Sequence, residues 1–355
     1  MKQSEGNYRR IVIKVGGSLF VNSAAIENII SQIAGLVRDK IETIVVSSGA
    51  IACGMAVLKL EKRPKNVSTL QAVAALGQNE LMNIYRRGLG RHNLNCGQVL
   101  LTWEDFDSRE RYLNARNTIL RLIGFGVVPV INENDTVSID EIKFGDNDKL
   151  SAMVSHLAEA DLLIILTDVD GLLSKDRKEV IRVVGEITPR IQSLACPTDK
   201  QRSVGGMNSK LEAARMVMDS GLPCVIANGL KKDVIFSVLK SPQESGTLFL
   251  PKKNRLVAKK RWIAFGTKAV GKILVDKGAR QALVENNKSL LCPGIKQVEG
   301  DFAAGDTVLV VDEDNVEFAR GKVEYNAGEL IKIMGQRLKK EVIHRDNLVI
   351  ICRSR

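Results

Sequence analysis

Apolar and polar positions in the first 250 residues follow two alternating patterns. Short apolar runs predict six β-strands. Because polar residues do not alternate within these runs, we expect the strands to be buried on both faces, as in a parallel sheet. The runs are residues 11–15, 43–47, 97–102, 127–131, 162–167 and 224–228.

The segments between these runs repeat apolar residues at helical spacing. One of them, "AAIENIISQIAGLVRDK", brings four isoleucines and a valine to one face and follows Ser23, a residue type that caps helix N-termini. Further helices are predicted over 68–87, 109–123, 149–160 and 210–221. The alternation predicts an α/β fold, a three-layer α/β/α sandwich with a mostly parallel central sheet.

From Gly271 onward the pattern changes to short strands separated by glycine and acidic turns. Strands are predicted within 272–276, 306–312, 318–325 and 347–352, with two short helices near 279–286 and 327–334. We therefore predict a second, small, mostly-β domain with a barrel-like fold. The predicted organisation is one domain over 1–255, a basic linker over 256–270 and the β domain over 271–355.

Composition limits the function classes. The 355 residues, 45% apolar and 26% charged, suffice for two globular domains. Six cysteines without a C-x-x-C pair predict reduced thiols in a cytoplasmic protein, not a disulfide framework or zinc site. Three histidines argue against a histidine-centred catalytic or metal site. The apolar run "DLLIILTDV" is too short to cross a membrane, and the N-terminal residues do not resemble a signal peptide.

The formal net charge of +11 is unevenly distributed along the chain. Residues 251–355 hold 21 Lys and Arg against 13 Asp and Glu, a net charge of +8. The segment "PKKNRLVAKKRW" (residues 251–262) has six basic residues and no acidic one. A charged linker and a surface for an anionic partner both explain this excess, and composition does not choose between them.

Two glycine pairs, each with a lysine nearby, are candidates for phosphate binding. In "KVGGS", Gly16 and Gly17 let backbone N–H groups approach a phosphate, and Lys14 supplies positive charge. In "SVGGMNSKLEAA", two glycines precede a helix that contains Lys210 in its first turn. Taken singly, each motif is also explained by an ordinary glycine turn. Neither is a P-loop, because the G-K-[ST] order is absent.

Two further predicted strands end in polar residues. Ser48 opens a helix, where its hydroxyl suits a carboxylate or phosphate, or serves as an N-cap. Asp168 follows the strand 162–167 and points into the crevice where α/β sheets bind ligands, or it belongs to a turn built on "DG". With both glycine–lysine motifs, Asp168 predicts phosphoryl transfer, which depends on positioned positive charge more than on proton-transferring side chains.

Two segments, "VVPVINENDT" and "KFGDNDKLSA", concentrate acidic and amide side chains next to predicted strands and helices. The second places Asp146, Asn147 and Asp148 at the start of a helix, and the first contains Asn134 and Asp135. These residues mark either turns or a binding site.

The motifs resemble the amino acid kinase family, most closely its glutamate-phosphorylating members, and the C-terminal segments "GKILVDKGA", "SLLCPGI" and "FARGKVEYN" resemble a PUA domain. The resemblance covers nearly the whole chain. It implies that ATP donates its γ-phosphoryl group to the γ-carboxylate of L-glutamate, forming L-glutamyl 5-phosphate in the first step of proline biosynthesis. It also implies Mg²⁺ with ATP, feedback inhibition by proline, and a homodimer or homotetramer. The matching motifs are "KVGGS", "SSGAIACGM", "AALGQNELM", "RERYLNARNT", "VVPVINENDTV", "GDNDKLSA", "LTDVDGL" and "GGMNSKLEAA".

The resemblance also implies roles for individual residues. Lys14 and Lys210 would hold the transferring phosphoryl group, and Asp168 would lie between them and orient both ammonium groups. Asp148 is the fourth implied catalytic residue. The implied ATP-binding residues are Lys14, Gly16, Gly17, Thr167, Asp168, Val204, Gly205, Gly206, Met207, Asn208, Ser209 and Lys210. The implied glutamate-binding residues are Ser48, Asn134, Asp135, Asp146 and Asn147. No protein ligand of Mg²⁺ is predicted, since nucleotide phosphates and water usually hold this ion.

An amino acid substrate would explain the acidic, amide-rich segments. Their carboxylates accept hydrogen bonds from its ammonium group, and their amides donate to its α-carboxylate. One position departs from the family: Val204 stands where Thr is common, which removes a hydroxyl contact and leaves the backbone donors.

Two other functions stay open. Another acid, such as acetylglutamate, aspartate or carbamate, is a rival acceptor, although the acidic segments favour a free amino group. RNA binding through the PUA domain is the second, although an aromatic content of 4% leaves few stacking platforms for bases.

Overall fold

The structure is a computed structural model. It describes residues 8–138, 147–195, 206–252, 260, 263, 267, 269–336 and 341–351. The chain divides into two compact units, and the second consists mainly of residues 256–355. The predicted linker over 256–270 lies largely outside the described residues.

Strands and helices alternate along the first unit. Its elements are β1 (Arg10–Val15), α1 (Ser23–Arg38), β2 (Glu42–Ser47), α2 (Ala50–Val57), α3 (Val67–Gly90), β3 (Cys96–Leu101), α4 (Trp103–Asp107), α5 (Arg109–Gly124), β4 (Val128–Glu133), α6 (Asn147–Leu157), β5 (Leu162–Thr167), β6 (Val183–Val184), α7 (Pro189–Ser193), α8 (Met207–Asp219), β7 (Cys224–Asn228), α9 (Val234–Lys240), α10 (Pro242–Ser245) and β8 (Gly246–Phe249).

The eight strands form one sheet in the order β3-β4-β2-β1-β5-β7-β8-β6. All neighbouring pairs from β3 to β7 are parallel, whereas β8 runs antiparallel to β7. The predicted α/β class with a mostly parallel sheet is confirmed. The short strands β6 and β8 were not predicted, because their apolar runs are too brief to register as a pattern.

One strand differs from its prediction. We expected the run at 97–102 to be buried on both faces, but β3 lies at the sheet edge, and its residues Gln98 and Leu100 are exposed. A run of apolar residues does not reveal whether a strand has neighbours on both sides.

The two faces of β1 serve different purposes. Ile11, Ile13 and Val15 point to one face and join the core formed with α1, α3 and α9. Because side chains alternate along a strand, Lys14 points to the opposite face. There, α6 contacts β1, β2, β4, β5 and also α8. The strand therefore directs one lysine toward the layer that contains α6 and α8.

The N-cap of α1 also differs from the prediction. Asn22, not Ser23, occupies the N-cap, and its Oδ1 accepts a hydrogen bond from the backbone N–H of Ala25 at 3.1 Å. Both residue types make good caps, and only the backbone conformation selects between neighbours.

Helices α2 and α3 approach each other closely at two glycines. A Cβ atom added to Gly77 would lie 1.8 Å from the backbone oxygen of Ala50, and one added to Gly54 would lie 2.0 Å from that of Val73. Glycine is therefore required at both crossings, and the contact fixes the first turn of α2 against α3.

The second unit is mostly β, as predicted. Its elements are β9 (Gly271–Val275), α11 (Lys277–Val284), β10 (Leu290–Leu291), β11 (Ile295–Gly300), β12 (Thr307–Val311), β13 (Glu317–Lys322), α12 (Ala327–Ile333), β14 (Glu341–Ile343) and β15 (Leu348–Ile350).

Five of these strands form a sheet in the order β11-β9-β12-β13-β15, and β10 pairs with β14. The unit has its own apolar core, which includes Ile273, Val310 and Leu330. Sequence patterning did not resolve β10, β11 and β14, which are short or polar on one side.

Across the described ranges, no helix combines the length and apolarity needed to cross a membrane.

We expect Gly77→Ala to destabilise the first unit, because the added methyl group forces the backbones of α2 and α3 apart. Overpacking of this kind costs about 2 kcal/mol, which lowers the thermal midpoint by roughly 4–8 °C. Gly90→Ala is the matched control, because it lies in the same helix with no atom within 4 Å of its added Cβ. Circular dichroism melting of both variants measures the difference, and equal midpoints would contradict the requirement for glycine.

Candidate active site

The carboxyl ends of the parallel strands meet at one edge of the sheet. In this sheet β1 lies between β2 and β5. The chain continues from β1 to β2 on one side and from β5 toward β6 and β7 on the other side, so the connections diverge at the ends of β1 and β5. Ligands of open α/β sheets bind at such a position. The backbone N–H of Gly16, just after β1, donates to the carbonyl of Leu166 in β5 at 3.0 Å. Most of the predicted site residues lie around this point.

A buried carboxylate joins the two predicted lysines. Lys14 Nζ lies 2.6 Å from Asp148 Oδ1, and Lys210 Nζ lies 3.1 Å from Asp148 Oδ2. Asp148 is 0% exposed, and the two lysines are 4% and 6% exposed. Two buried ammonium groups that a carboxylate holds in place are suited to bind an anionic ligand.

The prediction that Asp168 lies between the lysines is wrong for this structure, because Asp148 occupies that position. Asp168 follows the last residue of β5 and is exposed, and its Oδ1 accepts a hydrogen bond from Thr167 Oγ1 at 3.1 Å. Thr167 itself is buried, and its carbonyl accepts from the N–H of Gly229 at 2.7 Å, which ties the ends of β5 and β7 together.

The N-terminus of α8 contributes to the same cluster. Gly206 is its N-cap, and no side chain caps the helix there. Ser209 Oγ donates to Asp148 Oδ2 at 3.0 Å and also approaches the Gly206 carbonyl at 2.8 Å. Met207 is partly buried and Asn208 is exposed. The first turn of α8 thus provides a lysine, a hydroxyl and the positive end of a helix dipole beside one carboxylate.

The glycine turns after β1 and β2 adjoin each other. A Cβ on Gly17 would lie 3.6 Å from the backbone nitrogen of Gly49. Gly49 is the N-cap of α2, with φ at 113°, a conformation that favours glycine. The interpretation of Ser48 as a simple N-cap is therefore wrong. The Ser48 side chain is buried, and its hydroxyl has no hydrogen-bond partner within the described part of the chain.

A chain of amide hydrogen bonds extends from α6 to α3. Asn147 Nδ2 donates to the carbonyl of Ser47 at 3.0 Å and to Asn132 Oδ1 at 2.6 Å. Asn132 Nδ2 donates in turn to Gln78 Oε1 at 2.8 Å. Ser47 Oγ also bonds the hydroxyl of Tyr85 at 2.9 Å. The network links the ends of β2 and β4 to two helices next to the lysine cluster.

Asn134 and Asp135 lie directly after β4 and differ in environment. Asn134 Oδ1 accepts a hydrogen bond from Thr136 Oγ1 at 2.5 Å, so the side chain stabilises a local turn. Asp135 is buried in that turn. The asparagine of this segment that the structure brings into the amide network is Asn132.

Three predicted site residues, Asp146, Val204 and Gly205, lie outside the described residues.

The buried thiols near the sheet are not suited to catalysis. Burial raises the pKa of Cys224 well above its usual value, with a smaller contribution from the negative charge of Asp148. Burial, and secondarily the carboxylate of Glu80, raises the pKa of Cys53 to about 11. Both thiols are therefore neutral and weakly nucleophilic near pH 7.

Within the ranges that the structure covers, no three Asp, Glu, His or Cys side chains are grouped closely enough to hold a metal ion.

Sequence reasoning missed Gln78 and Tyr85 as members of this hydrogen-bond network. The motif "AALGQNELM" contains Gln78, but nothing in its helical pattern distinguishes an amide that faces a site from one that faces solvent.

Comparisons with known proteins agree with this geometry. Residues 9–228 match the model of the amino acid kinase family, and residues 271–344 match the PUA domain. A protein named glutamate 5-kinase from Caldanaerobacter subterraneus subsp. tengcongensis is 45% identical, with 97% of this chain and 98% of that protein covered. Another of that name, from Syntrophus aciditrophicus, is 42% identical, with 98% and 96% covered.

Among solved structures, N-acetylglutamate synthase from Neisseria gonorrhoeae shares the fold, with a TM-score of 0.52 and 12% sequence identity. The match covers 69% of this chain and 60% of that one. The family match over residues 9–228 and the identity over nearly the whole chain support the same conclusion as the lysine–aspartate cluster at the sheet edge. The chain belongs to the amino acid kinase family and carries a C-terminal PUA domain.

Proposed function

We propose that this protein transfers the γ-phosphoryl group of ATP to the γ-carboxylate of L-glutamate, giving L-glutamyl 5-phosphate, and so begins proline biosynthesis from glutamate. The observation that carries the proposal is the pair of buried lysines held by the two oxygens of Asp148. The similarity to proteins named glutamate 5-kinase over nearly the whole chain supports the choice of acceptor.

The chemistry needs charge neutralisation more than proton transfer. A glutamate γ-carboxylate, with an ordinary pKa near 4.3, is already ionised at pH 7 and needs no general base. The barrier comes from bringing that carboxylate toward the negatively charged γ-phosphate. Lys14 and Lys210 would place positive charge where the two anions meet, and Asp148 keeps both ammonium groups in position beforehand.

ATP fits the glycine turns and the α8 N-terminus. We assign the phosphates to Gly16 and Gly17 beside β1 and to the N-terminus of α8 at Gly206, which has no side-chain cap. Mg²⁺ would arrive with the nucleotide, held mainly by phosphate oxygens and water, as this ion usually is. When bound, the ion would supply further charge neutralisation. Asp168, next to Thr167 at this edge, has an exposed carboxylate that could contact the nucleotide or its ion.

The acceptor end combines donors and acceptors that suit a free amino acid. The carboxylate of Asp135 suits an ammonium group, and the buried hydroxyl of Ser48 suits a carboxylate. Asn147 is held in place by Ser47 and Asn132. An acetylated amino group offers fewer donors and no charge, so acetylglutamate is the less favoured acceptor.

RNA binding through the PUA domain is less well supported. Several basic side chains of this unit are paired with acidic ones, so their charge is partly neutralised. Within the described residues these pairs are Lys272–Glu299, Arg280–Asp312, Lys296–Glu313 and Arg320–Glu317.

Three further properties belong to the same proposal. The enzyme acts in the cytoplasm as a homodimer or homotetramer. Proline inhibits it by occupying the amino acid end of the acceptor site, because proline shares the α-carboxylate and a cationic nitrogen with glutamate. These statements rest on the similarity to family members.

A hydroxamate assay tests the reaction. With ATP, Mg²⁺ and L-glutamate in the presence of hydroxylamine, the acyl phosphate is trapped as a coloured hydroxamate, with aspartate and acetylglutamate run in parallel. We expect product with glutamate and far less with the other acids. Absence of product with glutamate, together with product from another acid, would reassign the acceptor and keep the site.

We expect Lys14→Met to lower kcat/KM by about 10²–10³-fold, because one of the two charges that offset phosphate repulsion is lost. Lys149→Met is the matched control: Lys149 is next in the chain to Asp148, but it pairs with Glu212 at 2.6 Å on the exposed side of α6. Steady-state kinetics of both variants decide the point. Similar losses in the two would remove Lys14 from the mechanism.

We expect Ser48→Ala to raise KM for glutamate by about 10-fold, which corresponds to one hydrogen bond of about 1.4 kcal/mol to a charged group. Thermal stability should not fall, since this hydroxyl has no partner in the described residues. Ser155→Ala serves as control: that buried hydroxyl donates to the Ser151 carbonyl at 2.7 Å within α6. An unchanged KM in Ser48→Ala would exclude the serine from the acceptor site.

A further inference from the structure

The amide network fixes the orientation of each of its members. The carbonyl of Ser47 only accepts hydrogen bonds, so Asn147 must present its NH₂ group there. The backbone N–H of Glu133 only donates, and it donates to Asn132 Oδ1 at 2.9 Å. The Asn132 oxygen therefore receives both Glu133 and Asn147, and its NH₂ group must face Gln78. Two backbone groups thus settle amide orientations that are otherwise ambiguous.

These orientations determine which end of the Gln78 amide is left for another partner. Its Oε1 accepts from Asn132, so its Nε2 is the end that remains. This nitrogen is buried and has no hydrogen-bond partner among the described residues. A buried N–H donor without an acceptor is unfavourable, and native proteins rarely keep one without a reason. A bound ligand with an acceptor oxygen supplies that reason.

The position of Gln78 indicates which ligand atom it reaches. Gln78 follows Gly77, whose missing side chain lets α3 touch Ala50 in the first turn of α2. That turn begins at Gly49, whose N-cap position has no side-chain cap, directly after the buried hydroxyl of Ser48. Uncapped N–H groups, the Ser48 hydroxyl and the Gln78 amide are all groups that can donate to one carboxylate.

Gln78 also lies at the far end of the network from the phosphoryl site. Asn147 is adjacent in the chain to Asp148, which holds the two lysines, and the hydrogen bonds then lead through Asn132 to Gln78. If the γ-carboxylate of the substrate meets the lysines, the α-carboxylate lies toward the opposite end.

We propose that Gln78 is an additional substrate-binding residue, whose Nε2 donates to the α-carboxylate of the bound amino acid while its Oε1 holds Asn132. This inference rests on the proposed function. It assigns recognition of the α-carboxylate to the first turn of α2 together with α3, separate from the charged half of the site.

The test compares L-glutamate with its α-carboxamide analogue, which keeps the γ-carboxylate, in the hydroxamate assay with the full chain. The key variant is Gln78→Glu, which keeps an acceptor for Asn132 and replaces the donor by a carboxylate that repels the substrate. We expect KM for glutamate to rise at least 10-fold, KM for ATP to stay within about 2-fold, and the preference for glutamate over the amide to fall about 10-fold or more, roughly one hydrogen bond to a charged group.

Gln71→Glu is the matched control. Gln71 lies two turns earlier on the same face of α3, and its Nε2 donates to the backbone oxygen of Thr136 at 3.4 Å. The Gln71→Glu variant introduces the same charge in the same helix, and its KM values and substrate preference should match those of the parent. If Gln78→Glu does not fold, Gln78→Met removes the donor without adding charge and should again raise KM for glutamate.

The outcomes separate the two proposals. A parent enzyme that forms no hydroxamate from glutamate overturns the proposed function. An active parent with unchanged glutamate KM and unchanged preference in the Gln78 variants overturns only the role of Gln78. A fall in kcat with unchanged KM and unchanged preference also overturns it, because a structural contribution alone would not alter discrimination between a carboxylate and a carboxamide.

Discussion

The buried carboxylate of Asp148 constrains the whole catalytic edge. A carboxylate removed from water needs cationic or hydrogen-bonding partners, and here it receives Lys14 from β1, and Ser209 and Lys210 from α8. Three segments that are distant in the sequence are thereby held together at the ends of the central strands. Because both oxygens of one carboxylate are used, the two ammonium groups are positioned before any ligand arrives, as charge stabilisation without reorganisation requires.

The site has two halves with different physical character. Around Asp148 the groups are charged, as a reaction between two anions demands. Beyond Asn147 the network consists of neutral amides and backbone groups, which recognise a ligand by direction more than by charge. The close approach of α2 and α3 at Gly54 and Gly77 supports this second half, since it fixes the turn that begins at Gly49.

The PUA domain has a core of its own and a surface on which acidic groups balance many basic ones. The described residues that we assign to catalysis at the sheet edge all belong to the first unit.

Local patterning determined much of this protein. Runs of apolar residues identified the central strands, and the predicted bounds 162–167 and 224–228 equal those of β5 and β7. The glycine–lysine motifs identified Lys14 and Lys210. These features depend on the period of burial and on residue chemistry, both of which are visible along the chain. The change in pattern after Gly271 likewise predicted the second, mostly-β domain, and the resemblance of its motifs gave the PUA assignment.

Only the tertiary structure decided which groups meet. Asp148 and Asp168 are both acidic residues beside buried elements, yet one lies buried between the lysines and the other is exposed at the end of β5. The edge position of β3 and the role of Gln78 were decided in the same way. Sequence spacing gives the periodicity of an element, whereas the partner of a side chain depends on how distant elements pack, and buried charges and amides are selected by those long-range contacts.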